Sequence, residues 1–169
     1  MTIGHSYQFC VLNLTKMRLY PQLKTLEGGR DNVIPGVVKV LTNARACQGC
    51  RACEAVCSLK HFGAVNPKST GVKIKESKEP GKFAQTVCQQ CIDMPCASVC
   101  PVEAIQRDGF TGAVAILDTC TGCGACVEAC PIHAIQMTQV TGEVRAFKCD
   151  LCGGIPECVS ICPRQALSW

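Results

Sequence analysis

The chain has 169 residues, 17 of them cysteine, against only eight aromatics (Trp 1, Tyr 2, Phe 5), 18% charged residues and a formal net charge of +4. That length suits one domain or two fused small ones, and with so few large side chains part of the core is expected to be inorganic. No apolar stretch reaches the roughly 20 residues that span a bilayer, and Met1 to Tyr20 carries neither a secretion-signal pattern nor a twin arginine, so a cytoplasmic protein without direct membrane insertion is expected.

In chain order, residues 1–46 form an N-terminal extension without a ligand motif. Leu12 to Leu26 mixes polar and apolar positions, which fits a partner-docking arm or a self-packing cap. Cys10 reads as an ordinary buried or interface thiol. Val33 to Leu41 is expected to be a strand leading into the first cysteine tetrad, Cys47-x2-Cys50-x2-Cys53-x3-Cys57. A loose hairpin is expected from Val72 to Val87, turning at Lys78-Glu79-Pro80-Gly81. The second tetrad follows as Cys88-x2-Cys91-x4-Cys96-x3-Cys100, ending in Pro101. Ala104 to Asp118 reads as a hairpin turning at Asp108-Gly109-Phe110-Thr111-Gly112. The third tetrad, Cys120-x2-Cys123-x2-Cys126-x3-Cys130 with Pro131, repeats the first spacing. A hairpin from Ala134 to Phe147 turns at Thr141-Gly142-Glu143. The fourth tetrad, Cys149-x2-Cys152-x5-Cys158-x3-Cys162 with Pro163, has the widest insert, Gly153 to Glu157.

Three cysteines at this spacing let a short loop wrap three corners of a 4Fe-4S cubane. The fourth cysteine lies four positions on, about 6 Å further along the axis if the segment is helical, and points away from its own loop. In bacterial-type ferredoxins that residue ligates the neighbouring cluster and the following proline redirects the chain. Clusters therefore come in cross-ligated pairs. The second and third tetrads are adjacent and end alike, in Cys100-Pro101-Val102-Glu103-Ala104-Ile105 and Cys130-Pro131-Ile132-His133-Ala134-Ile135. They are expected to form an inner pair over residues 88–130, with residues 47–57 and 149–162 as the outer pair of a polyferredoxin domain spanning 47–169. The expected ligand sets are Cys47, Cys50, Cys53 with Cys162; Cys149, Cys152, Cys158 with Cys57; Cys88, Cys91, Cys96 with Cys130; and Cys120, Cys123, Cys126 with Cys100. The fold class is α+β, a duplicated two-cluster ferredoxin with short helices and two-stranded antiparallel ribbons around four clusters.

Other uses of the cysteines fit less well. Disulfides need an oxidising compartment, and structural zinc sites use two cysteine pairs rather than a triplet followed by Cys-Pro. The fourth tetrad is the place where a different cluster is most readily accommodated. Each oxidised cluster with four thiolates carries about −2, so four move the formal charge from +4 to about −4. The basic isoelectric point then belongs to the metal-free chain and gives no support for nucleic-acid binding. Cluster insertion and folding are expected to be coupled, leaving the metal-free chain largely unfolded. Lys73, Lys75, Lys78 and Lys82 read as a solvated hairpin face rather than a docking patch, and His61 and His133 as surface histidines rather than tuning groups. No nucleophile with its base, P-loop or dinucleotide fingerprint is present, so catalytic residues are not expected.

From Cys47 onward the chain resembles the four-cluster ferredoxin subunits of molybdenum and tungsten oxidoreductases, a group that includes the dimethyl sulfoxide reductase iron-sulfur subunit. The stretches Cys57-Ser58-Leu59-Lys60-His61-Phe62-Gly63, Val87 to Cys96 and Lys148-Cys149-Asp150-Leu151-Cys152-Gly153-Gly154 are similar to small subunits accompanying tungsten enzymes of the aldehyde ferredoxin oxidoreductase and class II benzoyl-CoA reductase family. The resemblance implies the same pairing of tetrads and a non-catalytic electron-transfer subunit. Its partners would be a tungsten- or molybdenum-pterin catalytic subunit, acting on an aldehyde or an aromatic acyl-CoA, and a further redox subunit or ferredoxin. A free-standing polyferredoxin carrier is the alternative.

Overall fold

The three expected hairpins each form a two-stranded antiparallel sheet. In the computed structural model, residues 38–140 and 142–169 are described. Strands β2 (Val72–Glu76) and β3 (Phe83–Val87) pair from Val72 with Val87 to Glu76 with Phe83. Strands β4 (Ile105–Arg107) and β5 (Val114–Ile116) pair around the Asp108 turn. Strands β6 (Gln136–Val140) and β7 (Glu143–Phe147) pair around Gly142. Alternation of side chains sets the inward face: Val72 and Ile74 are buried, while Lys73 between them is half-buried and Lys75 faces water. At the β4–β5 turn the Asp108 carboxylate accepts from the Thr111 amide at 2.6 Å, its hydroxyl at 2.7 Å and the Phe110 amide at 3.1 Å. Those donors, the Thr111 amide first, hold the Asp108 carboxyl below its ordinary range.

Of the strand expected over 33–41, residues 33–37 lie outside the described residues, as do Cys10 and the rest of residues 1–32; residues 38–40 are not strand, and β1 covers Leu41–Thr42. It pairs antiparallel with β8 (Leu167–Ser168), so the segment before the first tetrad is clasped to the segment after the fourth. An added backbone bond from Asn43 N to Ala166 O at 2.8 Å extends the clasp.

Four helices follow the cysteine loops: α1 (Ala52–Phe62), α2 (Pro95–Ser98), α3 (Ala125–Ala129) and α4 (Glu157–Ser160). Helix α1 packs on α4 and α2 on α3. Helices α2, α3 and α4 are about one turn long because a Cys-Pro step follows each. Cys57 has no proline after it, and α1 runs on to a left-handed Gly63 cap. The core joins Val40, Val72, Ile74, Val87, Val114 and Leu151 to buried cysteines.

Buried polar groups stitch these small elements together. Glu54, only 3% exposed, accepts from the Ile74 amide of β2 at 2.8 Å and from Arg51 Nη1 at 2.9 Å, fixing α1 to the β2–β3 hairpin. Gln136 of β6 donates its side-chain amide to Thr70 O, and the Ser69 and Thr138 hydroxyls share a hydrogen bond, anchoring the β6–β7 hairpin to the approach of β2. Replacing Glu54 with alanine strands the buried Ile74 N–H, a loss of about 1–3 kcal/mol. We expect Glu54→Ala to bleach at a lower guanidinium concentration than the parent, with Glu54→Gln between the two because it keeps the amide's acceptor. Anaerobic denaturation followed by visible absorbance checks this.

Candidate metal centre

Four of the loop segments share one backbone solution. The residue before the second cysteine of each tetrad is left-handed: Gly49 (φ 70°), Gln90 (φ 54°), Gly122 (φ 73°) and Leu151 (φ 60°). This tight turn curls each loop around a common point. Glycine adopts it without cost, whereas Gln90 and Leu151 need surrounding contacts to hold it.

A second device recurs three times, at the Cys-Pro steps. The fourth residue of each Cys-Pro-x-x-Ala turn, Glu103, His133 or Gln165, is left-handed with φ near 50°. The next amide then donates to the cysteine sulfur: Ala104 N to Cys100 Sγ at 3.3 Å, Ala134 N to Cys130 Sγ at 3.3 Å and Ala166 N to Cys162 Sγ at 3.2 Å. All three alanines are buried. Cys57, lacking this turn, receives its donor from far along the chain, Gly71 N at 3.2 Å. A Cβ on Gly71 would lie 2.7 Å from Cys149 N, so only glycine lets the two segments approach.

All sixteen tetrad cysteines line four cavities, four to each. The first cavity holds Cys47, Cys50, Cys53 and Cys162. The second holds Cys57, Cys149, Cys152 and Cys158. The third holds Cys88, Cys91, Cys96 and Cys130, and the fourth Cys100, Cys120, Cys123 and Cys126. Each takes three cysteines from one tetrad and the last cysteine of another. Helix α1 places Cys53 in the first and Cys57 in the second, and α4 places Cys158 in the second with Cys162 beyond its end in the first. The third and fourth are linked in the same way through Cys96 and Cys100 and through Cys126 and Cys130.

Burial makes these thiols hard to ionise. It pushes Cys53 up to about 12, reinforced by the Glu54 charge, and Cys149 up to about 12. Burial likewise raises Cys126 to about 11, with neighbouring Cys120 adding to it, and Cys57 to about 11 against the opposing Gly71 amide. Cys158 is driven higher still, first by burial and then by Cys149 and Cys57. Four thiols facing one cavity with amides aimed at their sulfurs are the donor chemistry of an iron-sulfur cluster, whose positive core replaces the protons. The residues present fit that group.

Two side chains near the sulfurs were not singled out by spacing. Gln90 is fully buried, its Nε2 donating to Cys149 O at 3.0 Å and its Oε1 accepting from Val114 N at 2.8 Å. Lys148 is buried and places Nζ 3.4 Å from Cys88 Sγ. Their signals were a glutamine where tetrads one and three have glycine, and a charged residue directly before Cys149. Arg107 completes the third cavity's loop by donating to Cys91 O at 2.6 Å. His133 is exposed, as expected. His61 is half-buried, with Nε2 3.6 Å from Cys152 Sγ and 3.4 Å from Asp150 Oδ1, and its ring 5.0 Å from that of Phe147. Lys75, Lys78 and Lys82 are exposed, Lys82 pairing with Glu79 in its own turn.

The 4Fe-4S dicluster domain model matches residues 79–169, and a 4Fe-4S binding domain model matches residues 45–63. The chain belongs to the 4Fe-4S dicluster domain family. It is 42% identical over 124 residues to the polyferredoxin-like subunit of an aliphatic sulfonate oxidoreductase from Pyrococcus furiosus, covering 73% of this chain and 70% of that one. It is 34% identical over 150 residues to the electron transport protein HydN of Escherichia coli, covering 76% of this chain and 85% of that protein. Among solved structures it aligns with the active site complex BamBC of benzoyl coenzyme A reductase in complex with benzoyl-CoA, at 22% identity and a TM-score of 0.43, over 77% of this chain and 76% of that one. With relatives named as electron transport proteins and polyferredoxin-like subunits, this 4Fe-4S dicluster chain is an electron-transfer polypeptide. No helix among the described residues is long and apolar enough to cross a membrane.

The exchange of last cysteines between tetrads makes a specific outcome expected for this 4Fe-4S family chain. Cys130→Ala should damage the centre lined by Cys88, Cys91 and Cys96 and leave that of Cys120, Cys123 and Cys126 the less affected. Site-resolved EPR of the reduced protein checks it, and damage confined to the latter centre would overturn the exchange. Gly71→Ala should cost about one cluster's share of iron and sulfide, because the methyl displaces Cys149 from the second cavity; iron and acid-labile sulfide per chain measure this.

Proposed function

We propose that the chain holds four 4Fe-4S clusters, one in each cavity, and relays single electrons as a subunit of a larger oxidoreductase. The observation that carries this reading is the grouping of sixteen cysteines four to a cavity, each group mixing two tetrads. Bound in such cavities, the clusters supply reversible one-electron chemistry. The polypeptide's own part is to set their spacing, exclude water and aim amide donors at the ligand sulfurs.

Shared helices join the first cavity to the second, through α1 and α4, and the third to the fourth, through α2 and α3, while Lys148 and Gln90 bridge the second and third. The most exposed ligands support a series running between the first and fourth cavities. Cys50 and Cys123 are exposed, and they belong to the first and fourth cavities, the two ends of the series. Electrons thus meet solvent-facing ligands at both ends and buried or half-buried ones between. The repeated loops and Cys-Pro turns support a duplicated two-cluster ferredoxin fold.

The partner at one end is a tungsten- or molybdenum-pterin catalytic subunit acting on an aldehyde or an aromatic acyl-CoA, and at the other a further redox subunit or ferredoxin. The Pyrococcus furiosus relative, itself a polyferredoxin-like subunit of an oxidoreductase, supports the subunit role. Anaerobic purification of the native protein tests all of this together. We expect iron and acid-labile sulfide equivalent to four 4Fe-4S clusters per chain, and a complex well above 18.0 kDa that contains tungsten or molybdenum. A brown monomer free of both metals would instead support the free-standing carrier, and colourless, zinc-bearing material would remove the electron-transfer reading.

A further inference from the structure

The two cavity pairs meet at a polar junction built on two buried side chains, Lys148 and Gln90. Within each pair neighbouring cavities are joined by helices that give one cysteine to each side. Between the second and third cavities no such helix runs; the contact is made by Lys148 and Gln90. Lys148 is 2% exposed, and its Nζ has three acceptors: Cys88 Sγ at 3.4 Å, Cys149 O at 3.1 Å and Val114 O. Three acceptors match the three protons of an ammonium and leave none unpaired. Cys88 lines the third cavity and Cys149 the second. Gln90 repeats the bridge beside it, with its backbone N donating to Cys88 Sγ at 3.4 Å and its side-chain amide to Cys149 O.

A buried cation is costly to place and is kept where a negative partner offsets it. Here the partner is a sulfur whose negative charge grows when its cluster is reduced. We propose that Lys148 is a positioning residue that holds the third cavity's cluster at a more positive reduction potential than the same loop would give it, by donating to the Cys88 sulfur.

Charge and donors at the ligand sulfurs are means by which a protein moves such potentials. Lys148 makes both contributions at one atom, and low local polarity strengthens them. Cys57, Cys100, Cys130 and Cys162 receive backbone amides, which carry no net charge, and Cys152 has the His61 ring nitrogen at 3.6 Å. Cys88 receives an amide from Gln90 as well as the ammonium. The lysine's effect is therefore expected to centre on the third cavity. It makes the third cavity an electron sink next to the junction, so charge crossing from either pair settles there. The change concerned is the gain of one electron, supplied below by dithionite, with no bond formed or broken and the three lysine protons retained.

The inference rests on the four-cluster reading, and the experiment separates the two. Parent, Lys148→Met and Lys148→Arg proteins are prepared anaerobically, counted for iron and sulfide, and titrated with dithionite while EPR follows each centre. In Lys148→Met one midpoint should become more negative by at least about tenfold in its reduction equilibrium, which is about 59 mV for one electron. The remaining midpoints should move much less, and Lys148→Arg, which keeps the charge, should return the shifted one toward the parent value. Unchanged midpoints in fully loaded Lys148→Met would overturn the role of Lys148 while leaving four clusters intact. So would an equal shift of all midpoints, or an arginine variant that behaves like methionine. A parent lacking iron and sulfide for four clusters would remove the underlying reading. If Lys148→Met does not assemble, the parent grown with 15N-labelled lysine side chains decides: pulsed EPR should show nitrogen coupling on one reduced centre, and its absence overturns the contact.

Discussion

Crowding sulfurs into a dry interior is the constraint on which this structure turns. Thiols buried as deeply as Cys53, Cys149 and Cys158 do not ionise near neutral pH by themselves, and each ionised neighbour would make the next harder to ionise. A metal core reverses that balance by supplying positive charge where four sulfurs converge. Folding and cofactor acquisition are thereby expected to be one process, since eight aromatic residues supply little other filling for a core. The sheets reflect the same economy: four ribbons of two strands each, none able to persist alone in water, held by what the loops enclose.

The loops meet the constraint with backbone geometry rather than side-chain bulk. A left-handed residue before the second cysteine lets three sulfurs converge, and another in each Cys-Pro-x-x-Ala turn brings an amide onto the fourth. Left-handed backbone disfavours most residues, yet Glu103, His133 and Gln165 adopt it at the surface, where the turn's own hydrogen bonds and the buried alanine hold them. Cys57 is the informative departure. Its helix continues past the point where the others stop, so the amide it needs comes from Gly71 in a distant segment, and the cost is a site where no side chain fits.

Much of this was legible in the cysteine spacing. Periods of two and three residues fix which thiols share a loop, alternation fixes the hairpins, and shared endings fix which tetrads resemble each other. What escaped depends on contacts between distant segments. The clasp of β1 and β8 is two residues long, too short for alternation to mark, and within described residues 38–46 the strand is Leu41–Thr42. Lys148 looked like an ordinary charged residue at the end of a ribbon because burial is invisible in local pattern. Gln90 was legible only in hindsight, as a polar side chain at a position where two sister loops place glycine.

Those two residues also show why the molecule is more than two small ferredoxins joined in one chain. A helix shared between cavities ties their geometry together rigidly: moving Cys53 moves Cys57. The junction between the pairs has no shared helix: Lys148 of the third cavity leads directly into Cys149 of the second, and hydrogen bonds to carbonyls and to one sulfur hold the contact. Apolar packing there would join the halves equally well, and replacing buried polar groups by apolar ones is often neutral or stabilising. Keeping a buried amide and a buried ammonium where the second and third cavities meet is therefore poorly explained by stability. It is better explained by what those groups do to charge at Cys88, because on the proposed four-cluster series this contact joins the two halves.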